Sequence, residues 1–345
     1  MNDEVWQQLL SLESRDVTAQ WFERIHANEL NARRAKEINS AAKQAREYFR
    51  GAFQSQYSVR PLLTFYGVAC LSRAVLLLLR RSGGEETLTG SHGLETANWG
   101  QVMSGETANS LRCLLELRVR TTAGLFHDFV TQTENRTSIH VRSSKVDWRI
   151  CYDVPEKGDE VSLGDLLARI PDLHADYSSP TRVPLYAAVN EMTYSEDAGF
   201  NAKVRSEQFT PLKPFYEQQG FTVTPTAGCV ELSADSKTFQ KRTPLFVHSY
   251  VHKTFGSIPT LHMAQPFPSD SCYSQLSITY MVSYILGMLV RYYPTHWMAL
   301  IQGDKGDTCW PTINRAQHFV EQSFPEVAIE LVHDILNNKA AESAK

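Results

Sequence analysis

Neither sign of charge dominates this sequence: 34 Lys and Arg are set against 38 Asp and Glu over 345 residues, a formal net charge of -4. With no basic field, binding to a nucleic-acid backbone is not expected to be the main task, and only a local basic face is left for such a role. Cysteine is sparse and scattered. Cys70, Cys113, Cys151, Cys229, Cys272 and Cys309 form no CxxC pair and no compact framework, which reads as free thiols in a reducing compartment. There is no GxxxxGK[ST] or strand-borne GxGxxG to cradle a phosphate, no GxSxG elbow and no HExxH, so no cofactor is expected. Internal repeats and low-complexity tracts are also missing. The opening MNDEVWQQLLSLESRD is acidic and amphipathic, unlike the basic-then-apolar order of a secretory signal, and a cytoplasmic location is expected.

Long apolar runs are few, and each is interrupted by charge. In Pro61–Leu79 (PLLTFYGVACLSRAVLLLL) Arg73 sits inside and Arg60, Arg80 and Arg81 flank both ends, which favours a buried helix over a transmembrane one. The stretch Tyr273–Ile301 organises the chain. Leu276, Tyr280, Met281, Tyr284, Ile285, Met288 and Leu289 follow the three-and-four spacing of a helix with one face in a core. Pro294 should end or bend it. These two greasy helices are expected to pack on each other.

Residues 1–82 read as an N-terminal helical section. Within it, Asn28–Arg50 is Ala-rich and charged, the composition of a long exposed helix, and Pro61 suits a first turn. Residues 83–260 read as a β-rich middle section with short helices. It begins with a loop around His92, and Leu111–Val119 is expected as a strand, followed by a helix after Gly124. A short helix is expected at Ser162–Leu173, and strands near Arg182–Val189, Phe221–Pro225, Cys229–Leu232 and Leu245–Val251. Residues 261–345 read as a C-terminal helical section closing with two helices, Asn314–Gln322 and Glu326–Asn338, divided at Phe324-Pro325. The fold class is therefore α+β, with helical N- and C-terminal sections packing together around a β-rich middle.

Candidate chemistry is thin. Arg291 and His296 have the R-x4-H spacing of HEPN-type ribonucleases, with His for proton transfer and Arg for developing phosphate charge; the bland alternative is an Arg at a helix C-terminus and a surface His. Arg120 and His127 form a weaker pair of the same kind. His248 and His252, with His262 nearby, could share a face and hold a metal, but no adjacent carboxylate supports this. GDKGD at 303–307 reads as a turn. Arg33, Arg34, Lys36, Lys43, Arg46 and Arg50 make the Asn28–Arg50 segment locally basic: a solvated face, or a contact surface for an acidic partner, for which Arg33, Arg34, Lys36 and Lys43 are the candidates.

Taken in order, several segments resemble the YaaC-like protein family. They are Tyr57–Leu79 with its Arg-Pro-Leu-Leu start, then His92-Gly93-Leu94, Gly124-Leu125-Phe126 and Ser162-Leu163 through Leu173 to Tyr177. The last runs from Tyr280-Met281 to Arg291-Tyr292, Pro294 and Trp297. The resemblance spans about residues 48 to 325. It implies a bacterial cytosolic protein without agreed catalytic residues, so none is carried over. One branch of that family is similar to the sensor component of the jumbo-phage-killer antiphage system. That sensor acts with a JukB-like partner effector against the vesicle formed early in infection by nucleus-forming phages. The expectation is a non-enzymatic sensor of an early phage structure, with peripheral lipid contact open and recruitment to infection sites. The alternatives are a HEPN-like ribonuclease using Arg291 and His296, and a scaffold protein without a defence role.

Overall fold

The computed structural model describes residues 2–137, 150–178, 182–242, 246–248 and 261–343. The chain divides into two compact units, and the first is assembled from distant stretches of sequence: Met1–Asn135, Val154–Gly164 and Leu276–Lys345. Its N-terminal part holds Asp3–Leu9 (α1), Arg15–His26 (α2), Ala32–Gln54 (α3) and Arg60–Leu79 (α4). Strands His92–Thr96 (β1) and Arg118–Gly124 (β2) follow, and β2 leads directly into Leu125–Gln132 (α5). The chain then leaves through the short antiparallel pair Arg136–Thr137 (β3) and Ile150–Cys151 (β4). It returns as Glu160–Ser162 (β5), which pairs with β2 to complete a sheet of order β1-β2-β5. Gln275–Tyr292 (α6), Pro294–Gln302 (α7) and Trp310–Ser343 (α8) close the unit.

The helical ends of the chain pack together, as the α+β reading anticipates. Trp21 meets His333 edge-on at 5.7 Å, Tyr57 meets Trp310 at 5.3 Å, and the Trp297 indole N–H donates to the Tyr57 carbonyl at 2.8 Å. At the centre α4 lies between α3 and α6. It is long and apolar enough to cross a membrane, yet 78% of its most apolar window is buried inside the protein. Two glycines allow the close approaches. A Cβ at Gly67 of α4 would lie 2.7 Å from the Phe49 ring of α3, and one at Gly287 of α6 would lie 2.8 Å from the Phe65 Cβ of α4. Phe65 then packs edge-on to Tyr280 and Tyr284 of α6, at 6.2 and 5.4 Å. Pro294 breaks the organising run as expected, becoming the first residue of α7 with Tyr293 as its N-cap.

The structure corrects four local readings. The Leu111–Val119 segment is not a strand: Thr107–Arg112 is helical, Leu114–Glu116 is a 3-10 turn, and the strand starts only at Arg118. Leu111, Leu114 and Leu117 are all fully buried, so the operative period there is three rather than two. His92 opens β1 instead of lying in a loop. The segment Asn28–Arg50 is not exposed all round, because Ala35, Ile38, Ala42, Ala45 and Phe49 of α3 are buried against the rest of the unit. Finally, α8 runs unbroken through Pro325. A proline in a helix interior costs about 3 kcal/mol. Burial of Phe324, Val320, Val327 and Ala328 around it offsets that, since a fully buried large apolar side chain contributes roughly 1.5–3 kcal/mol.

The second unit comprises Arg136–Asp153 and Asp165–Gln275. Tyr186–Ser195 (β6), Gly199–Arg205 (β7), Thr222–Thr226 (β8), Cys229–Ala234 (β9), Phe246–His248 (β10) and Leu261–Ala264 (β11) form an antiparallel sheet of order β10-β11-β6-β7-β9-β8. The strands expected near 182–189, 221–225, 229–232 and 245–251 correspond to β6, β8, β9 and β10. β7 went unread although Phe200, Ala202 and Val204 alternate with Asn201, Lys203 and Arg205, the period of a half-buried strand. Its core centres on Phe200 stacked on Phe239 at 4.3 Å. Arg169 is buried here and donates to the carbonyls of Asp165, Gln265 and Pro266 at 2.9, 3.2 and 2.7 Å, with its guanidinium 4.2 Å over the Phe267 ring. Burial pulls its pKa down to about 10.

Candidate functional site

The basic residues of α3 divide by environment. Arg34 is buried at 6% exposure and donates to the carbonyls of Leu77 and Arg80, satisfying acceptors that the C-terminus of α4 leaves open. It is a structural clasp and does not belong to an exposed basic face. Arg33 is exposed, but Glu37 and Glu86 each bind it at 2.9 Å. Both arginines line a cavity of about 320 Å³ between the start of α3 and Ser82-Gly83-Gly84, which Arg81, Glu37 and Glu86 also line. Lys36 and Lys43 are exposed and take part in no ion pair among the described residues. Seven residues apart, they stand on one side of α3, separated by about 10 Å.

Arg291 and His296 sit on different helices on either side of the Pro294 break. The Arg291 guanidinium reaches the Tyr66 hydroxyl at 3.3 Å and lies over the Tyr292 ring at 5.1 Å. His296 instead packs edge-on to Tyr293 at 6.0 Å, with its Nε2 buried and unpartnered. The charge of Arg291 bears on His92 and Tyr284, while the lowered pKa of His296 comes from burial alone. The open groove beside α7, lined by Pro294, Thr295, Met298 and Gln302, takes in neither residue. Of the second pair, Arg120 is held by Glu95 and Glu160 at 2.9 and 2.6 Å. His248 pairs with Leu261, one step out of register from His262, and His252 lies outside the described residues. No group of three potential metal ligands forms among the described residues.

Sequence reading missed a closely connected polar cluster in the first unit. Arg60 at the start of α4 binds Glu321 of α8 through both Nε and Nη2, and each side chain is only 10% exposed. Thr64 and the Gln317 amide also donate to Glu321 Oε1, at 3.0 and 2.8 Å. Beside them the Tyr57 hydroxyl is 2.7 Å from both Asn314 Oδ1 and His318 Nε2, and Arg60 Nη2 is 3.5 Å from His318 Nδ1. One assignment satisfies all of these: Arg60 donates to a neutral His318, whose Nε2–H donates to Tyr57, whose hydroxyl donates to Asn314. Burial and then the Arg60 charge lower the His318 pKa, consistent with that tautomer. The Arg-Pro start of α4 was visible in sequence, but nothing marked Glu321 as its partner across 261 positions.

The histidines make a pH prediction. Burial is the leading cause of a lowered pKa at His26, His92, His127, His296, His318 and His333. Their folded values lie below the ordinary 6.5, so the unfolded chain takes up protons first as pH falls. Stability is therefore complete above about pH 6.5 and declines below it, by about 1.4 kcal/mol for each unit of depression. Urea midpoints at pH 7.5 and 5.5 should show the drop, and His296→Leu should narrow it. A midpoint that stays level across this range contradicts the assignment.

These elements recur in known sequences only at the level of a family. Neither a curated protein nor a solved structure matches the chain. A family model described as YaaC-like protein spans residues 10–332, nearly the whole of both units, and the chain belongs to that YaaC-like family.

Proposed function

We propose that the chain is a recognition protein of antiphage defence, sensing an early infection structure, a vesicle or its lipid or protein, and recruiting a partner effector. Its membership of the YaaC-like family is compatible with this, and the reading itself comes from the resemblance of one branch of that family to the sensor of the jumbo-phage-killer system. The observation that carries recognition over catalysis is the separation of Arg291 from His296. One faces Tyr66 and His92, the other is desolvated against Tyr293. The contact surface narrows to Lys36 and Lys43, the cations of α3 that no carboxylate neutralises among the described residues. Near an anionic surface each Lys is worth about 1 kcal/mol. Losing both therefore weakens association roughly thirtyfold, and reversing them weakens it further.

The experiment follows fluorescently tagged protein in infected cells. Lys36→Glu with Lys43→Glu should abolish recruitment to infection sites and co-purification of a JukB-like effector, with circular dichroism unchanged. Recruitment at the parental level would reject this surface. His296→Ala should leave protection intact, and loss of both protection and RNA cleavage in that variant would favour the ribonuclease. Deletion followed by a phage panel separates a defence protein from a scaffold, for which plating is indifferent.

A further inference from the structure

We infer that the cavity between the start of α3 and Ser82-Gly83-Gly84 binds a small zwitterion of the α-amino-acid class. Its carboxylate is held by Arg34 and Arg81, and its ammonium by Glu29. The site is independent of the Lys36 and Lys43 surface proposed above. A single cavity of about 320 Å³, at the lower end of small-ligand pockets, brings these groups to one place, since Glu29, Arg33, Arg34 and Arg81 all line it. Arg34 is built into the wall. It is 6% exposed, its Nε and Nη2 donate to the Leu77 and Arg80 carbonyls, and its guanidinium lies 5.0 Å from the centre of the Phe22 ring, which also lines the cavity. Its Nη1 donates to nothing among the described residues and is not sealed from solvent, so one edge of a fixed guanidinium is left open to the cavity.

The charged groups of the wall divide into those already matched and those left open. Arg33 is held by Glu37 and Glu86, each at 2.9 Å, and the other oxygens of these carboxylates accept from the Glu85 and Gly84 N–H groups at 3.1 Å. Gly84 permits that closure, because a Cβ there would collide with Glu37 Oε2. What is left is the Nη1 edge of Arg34, with Arg81 and Glu29, neither of which enters an ion pair among the described residues. α3 also begins here, with the Asn31 side chain capping the Arg34 N–H at 2.9 Å, and the positive end of its dipole favours an anion. A planar carboxylate fits the edge of a guanidinium. Burial is the leading cause that lowers the Arg34 pKa, a desolvation cost that a bound carboxylate offsets. A phosphate dianion would lie beside Glu29, Glu37 and Glu86, and a simple cation beside three arginines, so like charges disfavour both. A molecule carrying one charge of each sign answers the groups that remain.

Titration calorimetry of the full chain with each standard L-amino acid in turn, at constant ionic strength, tests the site. Acetate and methylammonium serve as probes that carry one charge each. Saturable binding of at least one amino acid is expected, with neither single-charge probe binding saturably at the same concentration. Glu29→Gln and Arg81→Met should each weaken that binding at least about tenfold, the loss of a hydrogen bond to a charged group. Both side chains are exposed, so the fold, read by circular dichroism, is kept. Arg50→Met, exposed near the far end of α3, should bind as the parent does. Absence of saturable heat with every amino acid overturns the site, as does an affinity of both cavity variants within about twofold of the parent. Acetate bound as tightly as the amino acid overturns the zwitterion assignment. None of these outcomes bears on the Lys36 and Lys43 surface, because recruitment is read with the lysine variants.

Discussion

Replacing Glu321 by Leu lowers the unfolding free energy by about 3–5 kcal/mol, and most of the loss returns when Arg60→Met is added. The carboxylate is the shared acceptor for Arg60, Thr64 and Gln317. Removing it strands a guanidinium that is 8% exposed and cannot lose its proton. The penalty is that of an uncompensated buried charge and far exceeds the 0.2–1 kcal/mol typical of an exposed pair. Pairs such as Arg33–Glu86, with both side chains mostly in water, should by contrast change stability by under about 1 kcal/mol. Equilibrium urea denaturation of the two single variants and the double closes the cycle. A double variant as unstable as Glu321→Leu alone would mean that lost packing, and not the orphaned charge, sets the cost.

Gly287→Ala should cost about 2–3 kcal/mol, whereas Gly67→Ala should cost under about 1 kcal/mol, although both glycines meet a phenylalanine. The difference lies in which atoms must move. At Gly67 the new methyl meets the edge of the Phe49 ring, 2.7 Å away at Cδ2, and a ring swings about its χ angles. At Gly287 it meets the Phe65 Cβ at 2.8 Å and lies 3.4 Å from the Pro61 carbonyl, so relief requires α4 and α6 to part. The helix-propensity gain on leaving glycine, at most about 1 kcal/mol, partly offsets the first clash and not the second. Thermal melts of the two variants rank them directly, and equal losses would show that the α4–α6 seam is softer than its geometry implies.

Helices carrying a long uninterrupted pattern were legible. The periodicity from Leu276 to Leu289 yields α6, and Pro61 and Pro294 mark true starts because a first helical turn does not need the missing N–H. Pro325 misled for the same physical reason in reverse: the local penalty is real, but tertiary burial of Phe324 and its neighbours outweighs it. The strand reading of Leu111–Val119 failed because a short apolar run fits both periods until its partners are known. Site residues were less legible still. Arg34 and Lys36 look alike in sequence, yet one caps α4 from inside and the other faces water. The matching of Arg60 with Glu321, and of Arg291 with Tyr66 instead of His296, is made by folding across more than two hundred residues, which local spacing does not encode.

The first unit is interrupted in sequence, and this sets a timetable for synthesis. α4 ends at residue 79, while its partner α6 begins at residue 275, after the chain of the second unit has been made. At about 5–20 residues per second, ribosomes leave that oily surface without its cover for roughly 10–40 s. During that interval the nascent N-terminal segment presents the features that holdase chaperones bind, and the yield of native protein depends on their supply. A permuted gene that encodes α6 to α8 ahead of α1 shortens the wait and relieves that dependence.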